Sequence, residues 1–429
     1  MLVWLFGSFG VLLAVGLPIA VCLGLAAILA LVMTGSNVSL IVAAQTMFNG
    51  VNSYSLMAIP FFILCGNLMS GGGLSKKLVD FIKLFLGKIR GGLPLVTITS
   101  SMFFAAISGS CPATTAAIGG VMVPEMKEAG YDKKFSAATA AAGGIVGQII
   151  PPSIPMVTYA VLAEVSVSTL FLTGIGPGIL LGLLMMAYAY YFSVKNNVPV
   201  LDLKINSEII WSTFKESIWA LIMPVIILGG IYSGLFTPTE AGAIAAIYGF
   251  IVGMFIYRSL TFKNLPKIIV DTAVASSVIM LIMGTVATFN YVLTVGQIPQ
   301  IIANSLLSLT TNKYLILILF NIVVLIAGMF MSSSAAIALL TPILLPIMTS
   351  VGINKYLIGI IFIVNMGIGM ITPPVGNCLY VACNIGDIKF EPLVKATMPY
   401  VWVNIIGLLL ITFIEPISMF LVYLTGAPL

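Results

Sequence analysis

Apolar positions continue along this chain for far longer than the core of a soluble domain requires. Nearly unbroken stretches lie at about 2–33, 38–69, 93–124, 135–163, 168–194, 217–235, 241–257, 268–294, 314–348, 356–385 and 397–424, and residues 1–75 carry no charged side chain. One helical span needs about 20 apolar residues, and lipid obliges each segment to satisfy its own backbone. The pattern predicts an all-α polytopic membrane protein. Several stretches exceed one span, so they bend or double back. Met1 is followed by neither a charged leader nor a small-residue cleavage site, and the first stretch reads as a retained span.

Polar positions set the orientation. Lys76, Lys77, Lys83, Lys88 and Arg90 precede the stretch at 93, and Lys127, Lys133 and Lys134 follow it, so both its ends belong on the cytoplasmic side. It enters and returns. Loops with Lys195, Lys204 and Lys215, then Arg258, Lys263 and Lys267, then Lys389 and Lys395, fall on the same side. Of the 18 basic residues only Lys313 and Lys355 are opposite. They flank 314–348, a second doubling-back stretch expected to enter from the other face. Between Leu74 and Lys88, apolar residues recur at helical spacing against lysines, predicting an amphipathic arm on the cytoplasmic surface. Trp4, Trp211, Trp219 and Trp402 lie near predicted interfaces.

A shift of 222 residues lays 110–160 on 332–382 without a gap, with 12 of 51 pairs identical, among them Ser110/Ser332, Gly130/Gly352, Lys133/Lys355, Gly147/Gly369, Pro151/Pro373 and Pro152/Pro374. Matched glycines and prolines are not a by-product of apolar composition. Repeats that enter from opposite faces are the architecture of secondary transporters, with the site near the midplane between them.

Composition narrows the chemistry. The chain has 429 residues, 60% hydrophobic and 7% charged, which excludes a soluble globular protein. There is no histidine, so zinc enzymes and histidine-based triads are excluded. The five cysteines form no CxxC pair and read as reduced, small, buried residues. A formal charge of +5 is spread along loops rather than gathered in a patch, so lipid headgroups explain it better than nucleic acid does.

Each repeat is interrupted twice. The first interruption is Ala106–Pro112 in one repeat and Gly328–Ser334 in the other, read as the tip of a re-entrant hairpin. Ser110 and Ser332 are placed to cap the following limb, and Pro112 suits its first position. The second is Gly147–Ser153 and Gly369–Val375, where two successive prolines force the span to stop and restart. A simple proline kink is the plainer reading of either alone, but broken backbone at membrane depth is tolerated where it lines a cavity or binds something. Freed carbonyls suit a hard cation such as Na⁺, and the positive ends of half-helices suit an anion. The repeat-core runs hold no Lys or Arg, so a substrate carboxylate meets amides and hydroxyls; they hold no buried carboxylate to carry a proton, which favours Na⁺ over H⁺. Glu164 reads as interfacial, Glu240 as a first-turn helix acid, and Glu415 as a candidate for pairing with another subunit.

Gly16–Ala20, the tip Ser108–Thr114, the run Pro151–Met156, Phe236–Ala241 and Thr372–Gly376 together make the whole chain resemble the large membrane subunit of a tripartite ATP-independent periplasmic (TRAP) transporter. The resemblance implies an elevator-type ion transporter fold of inverted-topology repeats, with two re-entrant helical hairpins and two broken helices. It implies Na⁺-driven uptake of a small organic acid such as a sialic acid or C4-dicarboxylate across the bacterial inner membrane, with no enzymatic activity and no organic cofactor. The expected partners are a small four-helix membrane subunit, supplied separately because the chain begins at the large-subunit motif, and a soluble periplasmic substrate-binding protein. The expected organisation is 1–92 N-terminal scaffold helices and arm, 93–165 first transport repeat, 166–313 further scaffold helices and a second arm, 314–386 second transport repeat and 387–429 a C-terminal helix. By resemblance, Gly328, Gly369, Thr372 and Val375 hold Na⁺ in the second repeat, and the repeat shift nominates Ala106, Gly147, Ile150 and Ser153 in the first. Ile150 stands where the second repeat has Thr372, so only its backbone can contribute. Ser108, Ser110, Ser332, Ser333 and Asn377 are the candidates for substrate. A stand-alone Na⁺/dicarboxylate symporter and a non-transporting membrane scaffold are the competing readings.

Overall fold

The computed structural model describes residues 1–34, 39–198, 200, 206–302, 310 and 312–427; Lys204 lies outside them. Every described regular element is a helix. The first apolar stretch splits into α1 (Leu2–Ala14) and α2 (Ile19–Met33) at Gly16, whose φ of +87° needs a residue without Cβ, and at Pro18. The second splits into α3 (Ile41–Val51) and α4 (Tyr54–Gly71), and α5 (Leu74–Leu86) is the arm. The first hairpin is α6 (Gly92–Ser108) and α7 (Cys111–Glu128); the broken helix after it is α8 (Lys133–Gly144) and α9 (Ile154–Ala163). Long helices follow as α10 (Val167–Lys195), α11 (Ser207–Tyr232), α12 (Pro238–Ile256) and α13 (Leu265–Val295). The second hairpin is α14 (Lys313–Phe330) and α15 (Ser333–Ser350), and the second broken helix is α16 (Lys355–Gly369) and α17 (Asn377–Gly386). α18 (Phe390–Phe413) and α19 (Pro416–Thr425) close the described chain. Among the described helices, eight are long and apolar enough to cross a bilayer.

The 222-residue repeat is a structural one. α6 and α14 end at equivalent residues, α7 and α15 share both bounds, and α8 and α16 start together. The matched glycines Gly130 and Gly352 both take positive φ, +86° and +76°, at the turn that follows the hairpin. Asp132 and Asn354 then cap α8 and α16 through their side chains, and the Pro151–Pro152 and Pro373–Pro374 bonds are both cis.

Two lysines reveal the relative direction of the repeats. Lys133, the first residue of α8, donates to the backbone carbonyl of Asp387 at 2.6 Å, just past the end of α17. Its repeat mate Lys355, the first residue of α16, donates to the carbonyl of Ala163 at 3.1 Å, the last residue of α9. Each broken helix therefore starts where the other finishes, so the two run antiparallel and the repeats are inverted. The second limbs are exchanged as well, with α7 along α17 and α15 along α9.

Two apolar cores result. One spans the hairpins, both broken helices and the arm; the other gathers α1, α2 and α13 around Ala335, Ala338, Leu339 and Ile343 of α15. The arm buries Leu74, Leu78, Val79 and Ile82 as the periodicity predicts, and its opposite face pairs Lys77 with Glu216 of α11 and Lys83 with Glu125 of α7, both at 2.5 Å. Glu240 completes a capping box with Thr237 at the start of α12.

Some expectations need correction. Ser110 and Ser332 occupy the positions before α7 and α15 but make no side-chain cap. At the first tip Pro112, second rather than first in α7, removes one of the two amides a cap hydroxyl would accept from, and both hydroxyls belong to residues that line a cavity. Glu415, which stays a candidate for pairing with another subunit, accepts from the Tyr423 hydroxyl at 3.0 Å within the chain.

Because a cation on a helix C-terminus is worth about 0.3–1 kcal/mol, Lys355→Met and Lys133→Met should each lower the thermal unfolding midpoint of the purified chain. The two staples are at opposite ends of the broken helices, so the double variant should show the sum of the losses.

Candidate functional site

Each tip is bonded to the break of its own repeat by the backbone. α6 stops at Ser108, Gly109 reverses the chain at φ +61°, and its carbonyl accepts from the Ile154 amide at 3.2 Å. In the second repeat the Val375 amide donates to the Met329 carbonyl at 3.3 Å. Groups left open by two interruptions of one repeat thus satisfy each other, as the membrane interior demands.

Glycine makes this approach possible. A Cβ on Gly369 would stand 2.5 Å from the carbonyl carbon of Gly328 and 2.7 Å from its Cα and oxygen. A Cβ on Gly147 would stand 2.6 Å from the Ser110 carbonyl and 2.5 Å from the Thr114 hydroxyl. Gly328 and Gly369 are therefore in backbone contact, and Gly147 lies against the first tip. Thr372 donates its hydroxyl to the Ile368 carbonyl at 2.7 Å, and its amide to Gly369 at 3.0 Å.

Ile150 packs its side chain against Gly178 of α10, so only its backbone belongs to the break. Ser153 caps α9 by accepting from the Met156 amide at 3.3 Å and donates to the Gln148 carbonyl at 2.5 Å. Ala106 is buried in the last turn of α6, 5% exposed.

Between the tips is a cavity of about 330 Å³. Ser110, Ser332, Ser333 and Asn377 line it, as do Gln148, Ser334 and Met370, and α13 closes one wall with Ala275, Val278, Ile279 and Ile282. Ser108 does not line it: that residue is buried behind the tip with its hydroxyl 2.7 Å from that of Thr114. Four of the five substrate candidates are thus gathered around one space. No lining residue is charged. The first residues of α7, α9, α15 and α17, namely Cys111, Ile154, Ser333 and Asn377, all border the cavity, so four helix N-termini converge there and supply the positive potential that side chains do not.

Two features were not foreseen. Gln148, 1% exposed, spans the repeats: its Nε2 donates to the Ile363 carbonyl of α16 at 3.0 Å, and its Oε1 accepts from the Ser333 hydroxyl at 2.7 Å. A buried network also runs from Thr412 of α18 to Asn321 of α14 at 3.0 Å and on to Asn365 of α16 at 2.7 Å, one turn before the Gly328–Gly369 contact. The available signal was the presence of single amide side chains in otherwise apolar runs.

Residues 6–417 match the family model of the tripartite ATP-independent periplasmic transporter, DctM component. The chain belongs to this family. The isethionate TRAP transporter permease protein DctMQ of Oleidesulfovibrio alaskensis is 46% identical over 97% of this chain, which spans 65% of that relative's length. The 2,3-diketo-L-gulonate TRAP transporter large permease protein YiaN of Escherichia coli strain K12 is 40% identical over 91% of this chain and 92% of its own. The sialic acid TRAP transporter large permease protein SiaM of Vibrio cholerae is 35% identical, covering 92% of each. These relatives are transporter permeases rather than enzymes. The solved structure of the Alcanivorax borkumensis YdaH transporter, described as having an unusual topology, superposes with a TM-score of 0.67 over 87% of this chain and 89% of its own at 16% identity, a likeness of fold.

Gly369→Ala should push the second tip off its break, because the obstructing atoms are backbone. Overpacking of this kind costs about 1–3 kcal/mol, to be read as a lower thermal midpoint. Gly120→Ala, with nothing within 4 Å, should show no such loss.

Proposed function

We propose that this chain is the membrane permease of a Na⁺-coupled uptake system for a small organic anion in the bacterial inner membrane. The observation that carries the reading is the uncharged cavity, apolar on one wall and lined by serines, Gln148 and Asn377 on the others, at which four helix N-termini meet. An anion is favoured there by amides and hydroxyls without a fixed cation that would bind it too tightly for release. Behind each tip, main chain approaches main chain through glycine, at Gly328 and Gly369 and at Gly147 and Ser110, and backbone carbonyls suit Na⁺. Na⁺ ligands are then drawn from Gly328, Gly369, Thr372 and Val375, and from Ala106, Gly147, Ile150 and Ser153. Each Na⁺ moving through 100 mV contributes about 2.3 kcal/mol to accumulation.

Relatives named for isethionate, 2,3-diketo-L-gulonate and sialic acid support a small organic anion as cargo. The family's tripartite name supports a periplasmic binding protein and a small membrane subunit as partners. In the mechanism proposed, the two repeats, 93–165 and 314–386, move as one elevator body held together by the Lys133 and Lys355 contacts, and α13 forms part of the stationary wall.

Reconstitution into proteoliposomes with the partner subunits is the test. An inward Na⁺ gradient should drive uptake that a K⁺ gradient does not, and Thr372→Ala should raise the Na⁺ concentration for half-maximal uptake by about tenfold, the effect of about 1.4 kcal/mol. Uptake indifferent to Na⁺ would remove the coupling, and uptake without a binding protein would favour the stand-alone symporter.

A further inference from the structure

Gln148 fixes the polarity of Ser333, and this bears on what the cavity selects. The Ile363 carbonyl is an acceptor only, so the atom of Gln148 that faces it at 3.0 Å must be the NH₂ nitrogen. The amide oxygen then faces Ser333, and the hydroxyl 2.7 Å away must spend its single proton on that oxygen. Both side chains are more than nine-tenths buried, at 1% and 4% exposure, so this arrangement is held away from bulk water. Ser333 therefore offers the cavity lone pairs and no proton. The hydroxyls of Ser110 and Ser332, which make no cap bonds, and the amide of Asn377 supply donors on the other sides.

We propose that this arrangement makes the cavity select organic anions that carry a hydroxyl group over the same carbon skeleton without one, the acid group being met by helix N-termini and free donors and the substrate O–H by Ser333. The inference rests on the anion-transport reading and narrows its substrate class. A plain carboxylate brought to Ser333 would place oxygen lone pairs against oxygen lone pairs, whereas an O–H completes the bond that the buried acceptor lacks. Gln148 is a positioning residue here, acting through Ser333.

Binding to the full chain, purified with its copurifying subunits in Na⁺ buffer and without any binding protein, tests this through two matched pairs: malate against succinate and lactate against propanoate. The hydroxylated member should bind about ten times more tightly, read by isothermal titration. Ser333→Ala should reduce that ratio to near unity, Ser333→Thr should restore it, and Gln148→Leu, which frees the serine proton to donate, should also abolish it. Unliganded thermal midpoints establish that the variants are folded. Equal binding of both members of a pair by the unaltered chain, binding of none of the four, or a ratio that survives Ser333→Ala overturns the inference. A loss in Ser333→Ala that is equal for both members and follows Na⁺ concentration also overturns it, by making Ser333 a cation ligand. Na⁺-driven uptake of these acids without hydroxyl preference would leave the transport reading standing, whereas hydroxyl-selective binding with no Na⁺-driven uptake would leave the inference and remove the reading.

Discussion

Backbone that stops being helical inside a membrane has no water to turn to, and that constraint organises this protein. Four interruptions open amides and carbonyls in the interior, and the fold answers by folding each hairpin tip onto the break of its own repeat, with Gly109 accepting from Ile154 and Met329 from Val375. Further bonds inside each break, from Ser153 to the Gln148 carbonyl and from the Cys378 amide to the Met370 carbonyl, satisfy more of these groups. Glycine at 147, 328 and 369 is what lets main chain approach main chain closely enough.

The inverted repeat turns this local solution into a site. Because one broken helix runs against the other, helix starts from both repeats border a common space. In the function we propose, positive potential for an anion and carbonyl oxygens for a cation come from the same breaks, without a charged side chain on the cavity wall. Lys133 and Lys355 tie the outer ends across the repeats, and Gln148 and the Asn321–Asn365 pair tie the interior. The two repeats are thus tied to each other at both ends and at the centre, and α13 lines the cavity with an apolar wall.

Much of this was legible in the sequence because glycine, proline and lysine carry positional meaning that apolar residues do not. The gapless 222-residue shift marked helix bounds that coincide in the structure, and Gly130 and Gly352 matched because both need positive φ. Ser110, Ser332, Ser333 and Asn377 were identifiable from their closeness to the interruptions. Ser108, named with them from the same closeness, is set behind the tip, because one residue along a tip decides whether a hydroxyl faces the space or the packing, where Thr114 holds it. Gln148 and α13 were missed for a different reason. Their roles depend on contacts 215 residues away for Gln148 and Ile363, and on which long apolar helix lies across the tips, neither of which a local pattern encodes.

If the fold is as described, both tips meet at a water-reachable cavity halfway through otherwise apolar segments. Single cysteines at Ser110 and Ser332, in a chain whose native cysteines have been replaced, can be challenged with a membrane-impermeant maleimide in vesicles. The account predicts that both are labelled despite being flanked by apolar helices, and that substrate and Na⁺ together protect both. Failure of either position to react under any gradient, as uninterrupted lipid-embedded helices would require, contradicts it.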